Sequence, residues 1–127
     1  MSDFSDYLEN ELLDHVFRNA AYSSPSAVYL ALFTTAPTDA GGGTEVSTGG
    51  YAREAITFGA ASGGAIANTS AVEFTASGAN FGTILAVGIF DASTSGNLLA
   101  WNEITSVVIN DGDTLNFPIG DIDVTLA

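Results

Sequence analysis

The sequence contains a single histidine, His15, and histidine is the side chain best suited to proton transfer near neutral pH. It lies beside Asp14 in a stretch with helical periodicity, and no GxSxG motif supplies the serine of a Ser-His-Asp triad. Two of the fifteen acidic residues could serve as the carboxylate pair of a glycosidase, but spacing favours no particular pair. We therefore expect His15 on the surface or packing side of a helix, and no catalytic residue. A glycosidase is the enzymatic alternative.

Two other stretches have residue types that can hold ligands. The triplet Gly41–Gly43 is glycine-rich like a phosphate loop, but no lysine completes GxxxxGK[ST] and no helical pattern follows it. Asp111, Asp113, Asp121 and Asp123 offer the oxygen ligands that calcium prefers, yet the EF-hand spacing is not met. A turn with left-handed backbone explains the glycines, and a turn followed by a solvent-facing strand explains the aspartates. We expect neither a cofactor nor a metal ion.

The charge of the chain excludes several classes of partner. The chain has fifteen acidic residues and only two arginines or lysines, Arg18 and Arg53, which gives a net charge of -13. Such a protein repels the phosphates of nucleic acids and anionic membrane surfaces. The longest apolar runs also fall short of the roughly 20 residues that span a bilayer. Arg53, flanked by Tyr51 and Glu54, is expected to form a specific ion pair, either within the chain or across a subunit contact.

Residues 3–21 have the only helical pattern in the chain. Apolar residues recur there at three- and four-residue spacing, at Phe4, Leu8, Leu12, Leu13, Val16, Phe17 and Ala20. Ser2 or Asp3 can cap the start, and early acids suit the positive end of the helix dipole. We predict one amphipathic helix within residues 1–21. Its acidic start differs from a secretory signal, so we expect a soluble product of the cytoplasm that makes it.

The remaining chain is predicted to consist of short strands. The segment 27–34 is apolar on both faces, which is typical of a strand buried on both sides, and the helix is one natural cover for its second side. In the similar segment 83–90, Gly88 allows a bulky ring or another backbone to approach. Ile84, Ala86 and Phe90 are predicted on one side of it, with Leu85, Val87 and Ile89 on the other. Further predicted strands are 51–58, 66–74, 98–104, 107–109, 114–119 and 121–126, the last with Ile122, Val124 and Leu126 pointing inward.

These elements predict one mainly β domain over residues 1–127. Short strands separated by glycine-rich turns indicate an antiparallel β-sandwich or a small barrel over residues 27–127, with the N-terminal α-helix appended. The loop 35–50 is unusually long for a compact domain, and such loops usually function or become ordered against a partner. We therefore select candidate partner-contact residues in and just after it: Pro37, Thr38, Asp39, Gly41, Gly42, Gly43, Tyr51 and Arg53.

Four segments carry a family resemblance. They are LFTTAPTDAGGGTEVSTGGYAR at Leu32–Arg53, FGTILAVGIFD at Phe81–Asp91, GNLL at Gly96–Leu99 and GDTLNFPIG at Gly112–Gly120. With them the chain resembles a family of small tailed-bacteriophage virion proteins that are usually labelled tail fibre proteins. The resemblance covers nearly all of the chain after residue 20, and it implies a structural protein of the virion.

The size of the chain bears on which virion component it is. A tail fibre must be long, whereas a capsid decoration (cement) protein needs only a small body with bridging loops or termini. We therefore expect a decoration protein that binds the major capsid protein or other virion proteins on the capsid exterior and stabilises the mature head by bridging its subunits. We also expect a homo-oligomer of two or three copies. The alternative is a tail-fibre or tail-tip component that binds a host receptor.

Overall fold

The computed structural model describes residues 3–126, which form ten strands and one helix. In chain order these are β1 Asp3–Phe4, α1 Asp6–Phe17, β2 Val28–Thr35, β3 Thr44–Glu45, β4 Glu54–Ile56, β5 Ala65–Ala67, β6 Val72–Thr75, β7 Gly82–Phe90, β8 Leu98–Ile109, β9 Thr114–Phe117 and β10 Asp123–Thr125. Within these residues no helix combines the length and the apolar character that a membrane crossing requires.

Six of the strands form one antiparallel sheet, the main sheet, in the order β1-β8-β7-β2-β3, with β4 also paired to β2. The central pair, β2 and β7, is in register from Tyr29 opposite Phe90 to Phe33 opposite Ala86. The other four strands form two antiparallel ribbons, β5 with β10 and β6 with β9. The predicted fold class is confirmed as mainly β, antiparallel and sandwich-like with one helix. Over residues 3–126 the sheets do not close into a barrel.

The first face of the main sheet, which carries Leu30 and Leu32, holds the larger core. The ribbons cover this face, because their apolar residues belong to the same buried cluster as those of the sheet. The cluster consists of Leu30, Leu32, Val46, Ile56, Val72, Phe74, Ala76, Phe81, Ile84, Val87, Ile89, Leu99, Ile109, Phe117 and Ile122. Sheet and ribbons are therefore the two layers of the sandwich.

The second face of the main sheet is also buried, as the sequence of β2 predicted. Ala31, Phe33 and Ala86 form a smaller cluster there, and the residues packed against it are Ala36 and Phe90. No residue of α1 is among them, so the expectation that the helix covers this face is wrong. The reason is that β1 pairs with β8, which places the start of α1 at the edge of the sheet rather than over β2.

Gly88 has the role predicted for it. A Cβ atom at this position would lie 2.9 Å from Leu98 Cδ1 and 3.0 Å from Phe33 Cε2. The absence of a side chain therefore lets the Phe33 ring and the Leu98 side chain come close to the backbone of β7 on the second face.

The pairing of β7 with β8 shifts register between Ile84 and Ala86, whose partners on β8 are more than two residues apart. Ile84 consequently lies in the core of the first face, while Ala86 faces the second and Leu85 is 40% exposed. The prediction that grouped Ile84 with Ala86, and Leu85 with Val87, is wrong for this reason. The same irregularity lets β8 continue as one strand where two were predicted.

The helix is shorter than predicted at both ends. At the start, β1 takes the place of the first turn and Ser5 is the N-cap, with its Oγ accepting a hydrogen bond from the Leu8 amide at 3.2 Å. Of the predicted caps, Asp3 belongs to β1 and Ser2 lies outside the described residues. At the end, Asn19 has a positive φ of 57°, a conformation that asparagine tolerates and that commonly ends helices.

Several other strands are shorter or more divided than predicted. The predicted strand 51–58 is reduced to β4, and 66–74 splits into β5 and β6, while the predicted loop 35–50 contains β3. The segments 114–119 and 121–126 are reduced to β9 and β10, and Leu126, predicted inward, is 60% exposed. Each of these strands pairs with a single neighbour among the described residues, so it ends where that pairing ends.

Candidate functional site

Arg53 forms a two-pronged ion pair with Glu45 of β3. Its Nε lies 2.9 Å from Glu45 Oε2, and its Nη2 lies 2.9 Å from Glu45 Oε1. The arginine side chain is only 7% exposed and the glutamate side chain 26%. The predicted ion pair is confirmed, and of the two options it is the one within the chain. Paired geometry of this kind is the strongest form of a carboxylate–guanidinium contact.

The same guanidinium fixes the loop 91–97, which connects β7 to β8. Its Nη1 donates to the carbonyl oxygens of Ala92 and Ser95, at 2.9 and 2.7 Å. Its Cζ lies 3.7 Å from the centroid of the Phe90 ring, a distance at which the ring attracts the cation. Arg53 thus places a buried positive charge over the second face and joins the 91–97 loop to β3.

Tyr51 connects this ion pair to the middle of the main sheet. Its hydroxyl accepts a hydrogen bond from the Leu32 amide at 3.0 Å and donates one to Glu45 Oε2 at 2.6 Å. Its ring stacks on Phe74, with centroids 6.0 Å apart, and meets the edge of Phe81 at 5.8 Å. A continuous chain of contacts therefore runs from the backbone of β2 to the 91–97 loop.

The pKa values of Tyr51 and Glu45 are shifted in opposite directions. For Tyr51, burial and then the hydrogen bond to Glu45 raise the pKa well above the ordinary value of 10.0. For Glu45, burial alone would raise the pKa, but hydrogen bonds from Arg53 and Tyr51 outweigh it and bring the pKa below the ordinary 4.5. The tyrosine therefore stays a donor, and the glutamate an ionised acceptor, across the neutral range.

The loop 36–43 is attached to both α1 and β8. The backbone carbonyl oxygen of Asp39 accepts a hydrogen bond from the Asp6 amide at 2.8 Å. The side-chain Oδ1 of Asp39 accepts one from Trp101 Nε1 at 2.9 Å. Thr38 and Gly41 exchange two backbone hydrogen bonds of 2.9 and 2.8 Å, which close the tip of the loop. The loop is therefore ordered by contacts within the chain.

The glycine triplet has the left-handed backbone that its sequence predicted, with φ values of 99°, 81° and 75° at Gly41, Gly42 and Gly43. A Cβ atom on Gly43 would lie 2.7 Å from the Thr35 carbonyl oxygen and from the Pro37 nitrogen. One on Gly42 would meet nothing within 4 Å. Gly43 therefore requires glycine for two reasons, its left-handed backbone and the close approach of neighbouring backbone atoms. Gly42 requires glycine only for its left-handed backbone.

A groove of about 490 Å³ lies between this loop, the start of α1 and the 91–97 loop. Its lining includes Tyr7, Asp39, Ala40, Gly42, Phe90 and Asn97. Asn97 is held in place by Asp91, whose carboxylate accepts from the backbone amide at 2.7 Å and from Nδ2 at 3.0 Å. The groove thus combines aromatic rings with an amide and a carboxylate, and its volume is that of a small-ligand site.

The eight predicted contact residues fall into two groups. Pro37 is buried and Arg53 nearly so, Tyr51 and Gly41 are half-buried, and Thr38, Asp39, Gly42 and Gly43 are exposed. Of the loop residues, Asp39, Gly41 and Gly42 line the groove, whereas Tyr51 and Arg53 line a separate depression of about 290 Å³ next to the 91–97 loop. The role of all eight residues in partner contact stays a prediction.

The other residues considered from sequence have local structural roles. His15 is exposed on α1, with Nδ1 2.9 Å from the Ala20 carbonyl oxygen, as expected of a helix-surface residue. Asp111 and Asp113 accept hydrogen bonds from backbone amides at 2.9 Å, which confirms their prediction as turn residues. Between residues 3 and 126, no group of three or more His, Cys, Asp or Glu side chains is arranged to hold a metal ion.

Two residues that organise the fold gave no signal in the sequence. Glu45, the partner of Arg53, is one acid among fifteen and lies in no motif. Asn68 is 2% exposed; its Oδ1 accepts from the Ile122 amide at 2.9 Å and its Nδ2 donates to the Pro118 carbonyl oxygen at 3.1 Å. An asparagine near serine and threonine indicates an ordinary turn, so its long-range contacts could not be predicted.

One family of phage proteins matches the chain along almost its whole length. The family is described as Podophage GP4 fiber I protein gp80, and the match covers residues 3–125. The chain belongs to this family. Every strand from β1 to β10, the helix and both loops of the groove lie within the matched residues of this fiber I family. Among curated proteins, none matches the chain.

Membership of the fiber I family makes the chain a structural protein of a bacteriophage virion. It confirms the resemblance to tail-fibre-type proteins that the segment Leu32–Arg53 indicated. The family's description also fits the tail-fibre alternative better than the capsid decoration protein that was the first expectation.

Proposed function

We propose that this chain is a tail-fibre component that works by binding and catalyses no reaction. The observation that carries the proposal is the match to a fibre protein family over residues 3–125. The fold supports it, because a sheet backed by two ribbons is a rigid body and its long loop is held in one conformation. Such a body can present a preformed surface to a host cell.

The groove beside the loop 36–43 is the proposed contact with the host surface, and its ligand class is a glycan. The Tyr7 ring, the Asn97 amide and the Asp39 carboxylate combine stacking with hydrogen bonding, which suits a molecule rich in hydroxyl groups. Asp39 and Asn97 are already held by hydrogen bonds within the chain, so binding requires little further ordering.

A homo-oligomer of two or three copies remains part of the proposal. Single glycan contacts are weak, and copies joined in one assembly bind several of them at once with much greater avidity. Sedimentation of the purified chain measures the number of copies directly.

Competition for host cells tests the proposed contact. Purified protein is expected to reduce phage adsorption, and Ala40→Arg, which places a long side chain in the groove, should abolish that effect. Ala60→Arg adds the same side chain at an exposed position outside the groove lining and should compete like the original protein. Equal competition by the two variants would contradict binding at the groove.

The number of copies in each particle separates the two virion components. A tail-fibre component is expected in few copies, and particles from which the tails have been detached should lose it. Retention in many copies on tailless heads would contradict the fibre proposal and favour the decoration protein.

A further inference from the structure

The helix α1 directs its apolar stripe away from the rest of the chain. Leu13, Val16 and Phe17 are 56%, 65% and 79% exposed, and Leu126 beside them is 60% exposed. With Phe4 and Leu12 these four residues line an open, almost entirely apolar groove of about 380 Å³, here called the helix stripe. A contiguous apolar patch on a protein surface commonly marks an interaction site.

The orientation of the helix is fixed from its other side. Tyr7 and Leu8 pack against the core of the first face. The Ser5 amide donates to the Leu99 carbonyl oxygen at 2.9 Å, and the Ser5 hydroxyl donates to the Leu98 carbonyl oxygen. Rotating the helix to bury the stripe would remove Tyr7 and Leu8 from the core, since residues advance by about 100° each. The cover for the stripe must therefore come from outside the described residues.

Among the described residues, the one charged residue in the lining of the helix stripe is an acid, Glu9. The helix contains four acids, Asp6, Glu9, Glu11 and Asp14, and Glu9 itself borders the stripe. Both arginines of the sequence are paired within the chain, Arg18 with Asp14 at 3.1 Å and Arg53 with Glu45 at 2.9 Å. The apolar surface is thus bordered by the Glu9 carboxylate, in a chain whose net charge is -13.

We propose that the helix stripe is the docking site for a segment of another virion protein whose apolar side chains are bordered by lysine or arginine. Burial of the stripe removes apolar surface from water, and a basic residue on the border of the partner pairs with Glu9 and is attracted by the net negative charge of the chain. The virion membership of the chain identifies the particle as the source of the partner. The docking itself is independent of the proposed glycan contact at the groove.

Charge argues against the two other occupants. A second copy docked on the stripe would bring its own Glu9 and the other acids of its helix against this helix, and like charges brought together at an interface are costly. The copies of the proposed homo-oligomer would therefore be joined through a different surface. An anionic membrane would repel the same surface. The complementary charge therefore belongs to a basic protein segment.

Two synthetic peptides test the proposal on the full chain. Each is an amphipathic helix of about 18 residues with a leucine face, bordered by lysine in one peptide and by glutamate in the other. The lysine peptide is expected to bind, measured by fluorescence anisotropy, and to bind several-fold more weakly as salt rises from about 50 to about 500 mM. The glutamate peptide is expected not to bind.

Variants locate the binding. The double variant Leu13→Ser with Phe17→Ser should lower the affinity for the lysine peptide at least about tenfold, because both apolar contacts are lost. The control pair Val108→Thr with Ile119→Ser alters two other exposed apolar residues, 57% and 69% exposed, and should leave affinity unchanged. Glu9→Lys leaves the apolar residues of the stripe unchanged. It should lower the affinity for the lysine peptide and allow the glutamate peptide to bind.

Three results would overturn the proposal. One is binding of the lysine peptide that survives the stripe variants, which would indicate general attraction to an acidic protein. Another is equal binding of the two peptides. The third is self-association of the chain that strengthens with salt and is abolished by Leu13→Ser with Phe17→Ser, since a second copy would then occupy the stripe.

Discussion

The loop 36–43 and the helix α1 both border the main sheet, but only the loop is ordered by contacts on several sides within the chain, whereas the helix leaves part of its apolar surface open. The loop was predicted to function or to become ordered against a partner, and it is already ordered within the chain, because Asp39 is bonded to Trp101 and to the start of the helix; its role in partner contact stays a prediction. The helix was predicted as a cover for the sheet, yet Leu13 and Phe17 lie more than half exposed. Composition indicates which surface needs a partner, but the topology decides whether that partner belongs to the same chain.

The physical cause lies in how the two faces of the sheet are completed. The second face carries few large side chains, and the 91–97 loop, held by Arg53, adjoins the Phe90 ring on that face. The first face is filled by the ribbons, so the helix finds room only at the edge beside β8. The following predictions test this contrast between a surface completed within the chain and one left open.

The largest effect is expected at the ion pair that holds the second-face loops. Glu45→Gln removes the charge that balances Arg53, which is 7% exposed, and should lower the free energy of unfolding by about 3 kcal/mol. The control Glu54→Gln removes an exposed carboxylate and should change it by less than about 0.5 kcal/mol. Chemical denaturation measures both, and equal losses would mean that the ion pair does not hold the loops.

Acidification should reveal the same interaction. The pKa of Glu45 is lowered in the folded chain, so its contribution to stability is complete above the ordinary value of 4.5 and is lost as the pH falls through the folded pKa. The difference in unfolding free energy between the original protein and Glu45→Gln should therefore be constant near neutral pH and shrink below about pH 4.5. A difference that persists at the acidic end of a pH series would contradict this assignment.

An intermediate effect is expected at the tip of the loop. Gly42→Ala should cost about 1 kcal/mol, because its backbone is left-handed but the added methyl group meets nothing within 4 Å. Gly43→Ala should cost about 1 kcal/mol more, because the methyl group would also contact backbone atoms at 2.7 Å. Urea unfolding compares the pair, and similar losses would show that the packing against Pro37 is not tight.

The smallest effect is expected on the helix. Leu13→Ser with Phe17→Ser should change the unfolding free energy by less than about 0.5 kcal/mol per substitution, since both side chains are mostly in water. Thermal unfolding of the dilute chain measures it. A loss as large as that of Glu45→Gln would mean that the stripe is already buried in the isolated protein.

The sequence predicted the features that depend on local pattern. The two-sided apolar run of β2, the helical periodicity before it and the left-handed glycines at Gly41–Gly43 are all present in the structure. Each of these follows from neighbouring residues alone, which is why one sequence was enough. The candidate contact residues were likewise chosen from one continuous segment.

What could not be predicted depends on contacts between distant residues. The register shift at Ile84 is set by extra residues in β8, and the start of α1 is set by the pairing of β1 with that same strand. The partner of Arg53 was one acid among fifteen until the fold brought Glu45 beside it. Buried polar contacts of this kind have no periodicity from which to infer them.

Imaging of intact particles tests the central claim most directly. A small tag on an exposed turn of this protein, labelled with gold and viewed by electron microscopy, should mark the tail and leave the head bare. Label distributed over the surface of the head, with none on the tail, would contradict the assignment as a tail-fibre component.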